Sequence, residues 1–375
     1  TGDDSRLARV APHIEKHMEW IDANRRNEPH LCREALARKV RDDGHAPLPS
    51  YRLYYFNDCG SSGMDDSPRT PRRPGAGQYY DWIDLSSQMA LSFHYLARIR
   101  RHLGHHEQAA AWRKRADELG SSINDELWSE RNGFYHDRLI PTSLVGHKTA
   151  AGFWPILAGI CPPERRRRLV RHLFDPNSFG TPVPVPTLST DDINYSAEGR
   201  YWKGGVWAPI NYMVTRGLML HDQGDDAHQV AMRYLDALSR TYRNYSPATL
   251  WECYSPEFDR PGLRANSANI ARPDFVGWSA IGPIAMLIEN ILGLDLDLIE
   301  GTLTWDIRLT EEHGIENLSL GDKARLSVRC RARRTPSEPA RVCIRSDRDL
   351  KIVLRRNDTV KHLAAVPGAD TEIEV

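Results

Sequence analysis

The feature that most constrains this chain is a change of hydrophobic period near residue 293. Upstream of it, apolar residues return every three or four positions. Trp82, Leu85, Met89, Phe93, Leu96, Ile99 and Leu103 are the clearest run, and that spacing places them on one face of a single helix. Comparable segments lie near 5–24, 106–127, 147–160, 163–174, 204–221, 225–243 and 274–291, giving roughly eight helices. Short links such as GHHEQ and CPPER make consecutive helices antiparallel hairpins. Downstream, the runs GTLTWDIRL, IENLSL, ARLSVRC, ARVCIRS and LKIVLRR alternate or are rich in β-formers, and they predict about six antiparallel strands. The periodicity therefore predicts a mainly α chain with helical hairpins over residues 1–292 and a small antiparallel β-sandwich domain over residues 293–375.

Composition narrows the partners. A chain of 375 residues with 40% hydrophobic residues buries a large core. Its 50 basic and 50 acidic residues cancel, so no long-range field favours nucleic acid or an anionic membrane, and the expected partner is a small neutral molecule. The run Arg165 to Arg168 reads as the solvated start of a helix. The six cysteines, Cys32, Cys59, Cys161, Cys253, Cys330 and Cys343, form no CxxC pair and no Cys/His group at zinc spacing, so no metal is expected. They read as thiols, with pairing of Cys330 and Cys343 across adjacent strands left open. No stretch reaches about eighteen apolar residues, and the opening TGDDSRLARV is neither a signal peptide nor an initiator methionine. A cytoplasmic setting is the expectation, and nothing in the sequence sets an oligomeric state.

Three long stretches interrupt the helices, at 44–80, 175–203 and 244–273, and loops of that length in a compact domain usually carry function. The first contains YYFNDCGSSGMDDSPRT, with Asp65 and Asp66 adjacent and Arg69 close by. A carboxylate against a partly apolar wall with a cation in reach is tunable as a proton donor or a fixed anion; the same string also reads as an ordinary Asx-turn and helix cap. The second ends in EGRYWKGGVWAPINYMV, where Tyr201, Trp202, Lys203, Trp207 and Asn211 surround a Gly-Gly pair. Such a cluster suits the apolar faces and hydroxyls of a sugar, and equally suits helix packing. The third carries TLWECYSPEFDRPG and RPDFVGWSAIGP. In it Glu252 lies between Trp251 and Tyr254, Trp278 opens the last long helix, and Glu257 competes in a more turn-like setting.

Together these strings resemble the clan formed by glycoside hydrolase families 37 and 63, which holds trehalases, processing α-glucosidases and mannosylglycerate hydrolases. SGMDDSPR is similar to the acid-bearing segment of that clan, YWKGGVWAPINY to its YWRGPVW helix start, LWECYSP to its base-bearing segment, and DFVGWSA to the opening of its final barrel helix. The order and approximate spacing agree over most of residues 5–295. The resemblance implies an (α/α)6 barrel of twelve helices, so that about four helices are expected ahead of residue 1.

Carried across residue by residue, the resemblance implies Asp65 as general acid and Glu252 as general base. It implies Asp66, Arg69, Tyr201, Trp202, Lys203, Trp207, Asn211, Tyr254 and Trp278 as substrate-binding residues. In that reading Asp65 protonates the glycosidic oxygen while Glu252 takes a proton from a water on the opposite ring face, inverting the anomeric centre. No cofactor is expected, and the two carboxyl groups are expected roughly 6.5–9.5 Å apart. Arg69 is expected to pair with Asp66 or a sugar hydroxyl, leaving Asp65 free to hold its proton. The departures bear on specificity: Lys203 stands where arginine is usual, Gly205 where proline is common, and Cys253 beside the expected base. The rival readings are a polysaccharide lyase and a catalytically silent carbohydrate-binding relative on the same helical toroid. A phosphorylase is disfavoured by the presence of Glu252.

Overall fold

The computed structural model describes residues 4–27, 53–140 and 143–375. Cys32 and the 44–52 part of the first interrupting stretch lie outside them. Contacts divide the chain into two compact units, Asp4–Gly282 and Pro283–Val375.

The first unit is built on helices that follow the 3.6-residue period. They are α1 (Asp4–Arg25), α2 (Ile83–His102), α3 (His106–Leu127), α4 (Pro163–Arg171), α5 (Ala208–Met219) and α6 (Gly224–Asn244), with α7 (Val276–Met286) beginning in this unit. Gly104 takes a left-handed φ of 79°, which only a residue without Cβ adopts cheaply, and this turns α2 back onto α3. The two helices close around Phe93 and Trp112, whose rings lie 5.4 Å apart. Helix α6 buries Ala227, Val230, Ala231, Tyr234, Ala237, Leu238 and Thr241, a stripe at i, i+3, i+4 spacing. Pro209 sits in the first turn of α5, where its missing N–H costs no intrahelical bond.

One expected helix is absent. Residues 147–160 form only a 3-10 turn, Ala150–Phe153, and a single α-turn, Trp154–Leu157. The cause is local. A Cβ on Gly152 would lie 2.3 Å from the Phe134 ring and 2.6 Å from the Tyr135 carbonyl oxygen, and Pro155 follows at once, so the segment is shaped by close approach to a neighbour. That neighbour is an aromatic cluster: Phe134 lies 5.3 Å from Phe153, 5.5 Å from Phe179 and 5.2 Å from His172. The stretches 53–80, 175–203 and 244–273 contain no helix longer than the turns Cys59–Ser62 and Ala76–Tyr79.

The second unit contains eight strands rather than about six: β1 (Leu294–Asp297), β2 (Thr302–Asp306), β3 (His313–Ser319), β4 (Arg325–Cys330), β5 (Arg341–Ser346), β6 (Leu350–Arg356), β7 (Thr359–Ala365) and β8 (Asp370–Glu374). They form two four-stranded sheets, in the orders β8-β5-β4-β3 and β7-β6-β2-β1. Inward side chains of both, among them Trp305, Leu326, Val328, Ile344, Ile352 and Leu354, make one buried cluster. All pairings are antiparallel except β6 with β2, a correction to the fully antiparallel expectation. Cys330 pairs in register with Val342 and Cys343 with Arg329; alternation then sends Cys330 into the core and Cys343 to the half-exposed face. Both are free thiols. Among the described residues no helix is long and apolar enough to cross a membrane.

The Phe134 cluster makes a direct test of this packing. Replacing a fully buried phenylalanine at the centre of four rings leaves a cavity that its neighbours cannot fill. Phe134→Ala is expected to lower unfolding stability in urea by about 3–5 kcal/mol; a loss below about 1 kcal/mol contradicts the packing described.

Candidate active site

The first loop is anchored by Arg69. Its side chain is fully buried, a position tolerable for a guanidinium only when every donor and the charge itself are matched. Both conditions are met. Nε donates to Asp137 Oδ2 at 2.7 Å and Nη2 to Asp137 Oδ1 at 2.6 Å, while Nη1 and Nη2 reach Asp84 Oδ2 and Oδ1 at 2.7 and 3.0 Å. The remaining donor meets Met64 Sδ at 3.5 Å, and the guanidinium lies 4.4 Å over the Trp82 ring. The two carboxylates push the Arg69 pKa upward against the desolvation of burial, so it stays charged. Asp137 also accepts the Ile83 N–H at 2.9 Å at the start of α2. Arg69 therefore pairs with neither Asp66 nor solvent, and its expected place among substrate-binding residues is corrected: its donors are spent within the scaffold.

Fixed in this way, the loop presents Asp65 outward and Asp66 inward. Solvent reaches Asp65, yet crowding by its neighbours strips hydration from its anion and raises its pKa, while the Tyr201 hydroxyl as side-chain partner and a local backbone N–H pull it down. Asp66 is buried. Its Oδ1 accepts the Trp202 N–H at 3.0 Å, and its buried Oδ2 has no hydrogen-bond partner. Desolvation raises its pKa, opposed by that N–H and by the charges of Lys203 and Arg72.

The second loop turns sharply at Tyr201, which adopts φ 49°. That left-handed conformation costs a non-glycine residue on the order of 1–3 kcal/mol. Three hydrogen bonds hold it: the Tyr201 N–H donates to the Leu263 carbonyl at 2.9 Å, and its own carbonyl accepts from the Gly205 N–H at 2.9 Å and from Trp207 Nε1 at 3.2 Å. A Cβ at position 205 would lie 2.2 Å from the Tyr201 carbonyl oxygen. Gly205 thus admits a close approach and supplies an N–H that the proline common at this place lacks. Trp202 and Trp207 stack at 4.1 Å with their planes 7° apart, Tyr201 meets Trp207 edge-on at 5.0 Å, and Trp278, about half exposed, meets Trp207 at 6.2 Å. Trp202 is itself buried. Asn211 is buried too, and its amide donates to the Pro184 and Trp207 carbonyls at 3.2 and 3.3 Å.

The third loop places Glu252 in the same locality. Its N–H donates to the Arg272 carbonyl at 2.9 Å, and its Oε1 accepts from the Tyr201 hydroxyl at 3.4 Å. The Arg272 Nε stands 3.9 Å from its Oε2, with the Arg272 side chain largely exposed. Cys253 is buried and packs where a Cβ on Gly262 would come within 2.9 Å of its sulfur. Tyr254, expected to meet substrate, is buried, and its hydroxyl accepts the Trp251 N–H at 3.1 Å; this is wall, not surface. Glu257 is engaged by the Tyr195 hydroxyl at 2.8 Å.

The structure thus joins Tyr201 and Glu252, ties Asp66, the neighbour of Asp65, to the backbone of Trp202, and lines the neighbourhood with Trp207 and Trp278. The residues overlooked in the sequence are Asp84, Asp137 and Trp82 around Arg69, and Arg272 beside Glu252. Among the described residues no group of three or more His, Cys, Asp or Glu is placed to hold a metal ion.

The chain belongs to the family of mannosylglycerate hydrolase MGH1-like glycoside hydrolase domains, whose model matches residues 1–266. It is 28% identical to an uncharacterized protein of Borreliella burgdorferi over 85% of this chain and 62% of that one. It is 22% identical to a probable mannosyl-oligosaccharide glucosidase of Schizosaccharomyces pombe over 76% of this chain and 35% of that one. The chain accordingly spans less than two thirds of the length of these curated relatives. The fold resembles that of a family 63 mannosylglycerate hydrolase from Thermus thermophilus, solved in complex with glucose, with a TM-score of 0.54 at 18% identity over 76% of this chain and 70% of that one.

The Arg69 cluster yields a stability test. Arg69→Met keeps the bulk but leaves two carboxylates buried without their cation, and is expected to cost about 3–5 kcal/mol in urea unfolding. Adding Asp84→Asn and Asp137→Asn removes the uncompensated charge and is expected to restore part of that loss. An unchanged midpoint for Arg69→Met contradicts the cluster as described.

Proposed function

We propose that this chain carries the catalytic part of an inverting glycoside hydrolase acting on an α-linked, gluco- or manno-configured glycoside, with Asp65 as general acid and Glu252 as general base. The observation that carries the reading is the Tyr201 turn, whose hydroxyl donates to Glu252 Oε1 at 3.4 Å and whose next residue, Trp202, donates its N–H to Asp66 beside Asp65 at 3.0 Å, so that the two carboxyls are gathered from different loops. Glycoside hydrolysis by inversion needs this division: one carboxyl that holds a proton for the leaving oxygen, and one carboxylate that activates water. Desolvation of Asp65 suits it to the first task. Glu252, flanked by Arg272, suits the second. In the reaction the water oxygen bonds to the anomeric carbon, the glycosidic C–O bond breaks, Asp65 gives its proton to the departing oxygen, and Glu252 accepts a proton from water.

Tyr201, Lys203 and Trp278 are the residues we assign to sugar contact, with Asp66, Trp202, Trp207, Asn211 and Tyr254, all buried, as the wall behind them. The names of the relatives support glucosyl and mannosyl substrates. The finer architecture belongs to the same reading: helices of residues 1–292 forming part of an (α/α)6 barrel, and residues 293–375 a β-sandwich. A lyase would use a tyrosine base, with an arginine such as Arg272 to neutralise a uronate. Burial and two neighbouring carboxylates drive the Tyr201 pKa well up instead, which keeps it a phenol and disfavours that role.

The test is a screen of the purified protein against trehalose, kojibiose, nigerose, maltose, isomaltose and mannosylglycerate, followed by variants. Asp65→Ala and Glu252→Ala are each expected to lower kcat roughly 10²- to 10⁴-fold on the disaccharide that is turned over. Asp65→Ala keeps a larger share of activity on α-glucosyl or α-mannosyl fluoride, which departs with little protonation. Because Asp65 acts protonated and its pKa is raised, activity is present below that pKa and lost as pH rises through it, placing the alkaline limb above the ordinary carboxylate range. Near-normal turnover by Asp65→Ala on a natural disaccharide removes the acid assignment and moves attention to Asp66.

A further inference from the structure

We propose that Tyr201 is a positioning residue that couples the two carboxylates, its single hydroxyl proton being given to Glu252 before the chemical step and to Asp65 after it. The proposal rests on the acid and base assignment above and adds a third participant to it. A tyrosine hydroxyl has one hydrogen to donate. Here Glu252 Oε1 accepts it at 3.4 Å, and Asp65, brought beside the same turn by the 3.0 Å bond from the Trp202 N–H to Asp66, is the second carboxyl that bears on it. The other charge acting on it is Arg272, with Lys203 and Arg72 bearing on Asp66 beside Asp65.

The backbone leaves this hydroxyl little freedom. The left-handed turn at Tyr201 is held through both its N–H and its carbonyl, and the ring is set edge-on to Trp202 at 6.1 Å and Trp207 at 5.0 Å. A turn held this firmly against its own backbone preference has a cost that a purely apolar contact would not require.

The balance of charge explains the use. Before reaction Glu252 is the anion and Asp65 carries the proton, so the hydroxyl donates to Glu252 and orients it toward water. As Asp65 protonates the leaving oxygen it becomes the anion, while Glu252 gains a proton from water and no longer needs a donor. Rotation of the same O–H toward Asp65 stabilises the new anion. Tyr201 begins and ends as a phenol, so no proton is gained or lost beyond those exchanged among water, the two carboxyls and the leaving oxygen.

The experiment compares Tyr201→Phe with the parent protein on the disaccharide turned over in the screen and on α-glucosyl fluoride, across pH, with circular dichroism and thermal melting as the folding control. Loss of a hydrogen bond to a charged group is expected to lower kcat/KM on the disaccharide roughly 10- to 100-fold, with a smaller loss on the fluoride. The alkaline limb is expected to move upward, because Asp65 loses the donor that favours its anion. Fluorinated tyrosine introduced at position 201 preserves the ring and is a stronger donor, so it is expected to move the same limb downward; this arm holds should Tyr201→Phe not fold. An alkaline limb unmoved by either change, with Asp65→Ala and Glu252→Ala both inactive, overturns the coupling and leaves the acid and base assignment standing. Retained activity in Asp65→Ala or Glu252→Ala overturns both.

Discussion

The helical unit turns on a buried guanidinium. Arg69 has almost no exposed surface, and an unmatched charge there would be too costly to keep. Its two carboxylate partners come from distant places, Asp84 from the first turn of α2 and Asp137 from the strand-like segment after α3. One side chain therefore fastens a loop, a helix start and a hairpin together, and it does so four residues from Asp65. Apolar packing alone would tolerate small shifts of such a loop. A fork of donors matched to two carboxylates tolerates far less, because tilting it breaks several short bonds together.

On that fixed loop the second and third stretches build a shared locality. The Trp202 N–H reaches back to Asp66, so the turn at Tyr201 is registered against the first loop and not only against its own helix. Gly205 lets the turn close, and the stacked pair Trp202 and Trp207 backs it. Glu252 then arrives beside the Tyr201 hydroxyl from a segment pinned through its N–H to the Arg272 carbonyl. Three loops meet through polar contacts to backbone, which fix direction as well as distance. That is the property an acid and a base on opposite faces of a sugar would require.

Much of this was legible in the sequence, and what was not has identifiable causes. The long helices follow their periodicity to within a few residues, because a buried stripe needs a helix to present it. The segment 147–160 has similar composition but fails as a helix, since Gly152 must admit Phe134 at a distance no local pattern records. Strands β4, β5 and β6 alternate buried and exposed residues and were visible; β7 and β8 lie at sheet edges, β7 with little alternation and β8 alternating only between exposed and half-buried residues, so neither carries a buried stripe to read. Asp65, Asp66, Tyr201 and Glu252 stood out as carboxylates and aromatics in long loops. The fate of Arg69 did not, because its partners lie 15 and 68 residues away. Nor did Arg272, whose place beside Glu252 depends on the return of the chain. Tyr254 misled for the converse reason: an aromatic beside a candidate base reads as a sugar platform until its hydroxyl is found facing a backbone N–H.

The central claim, that Asp65 and Glu252 act on opposite faces of one sugar, has a direct measurement. Proton NMR of the purified protein acting on an α-glycoside whose departing group is not a sugar, mannosylglycerate or α-glucosyl fluoride, recorded before mutarotation sets in, reads the configuration of the one sugar released. The β-anomer of the released sugar is expected to appear first. Appearance of the α-anomer, or of an unsaturated uronate in place of a reducing sugar, would contradict it.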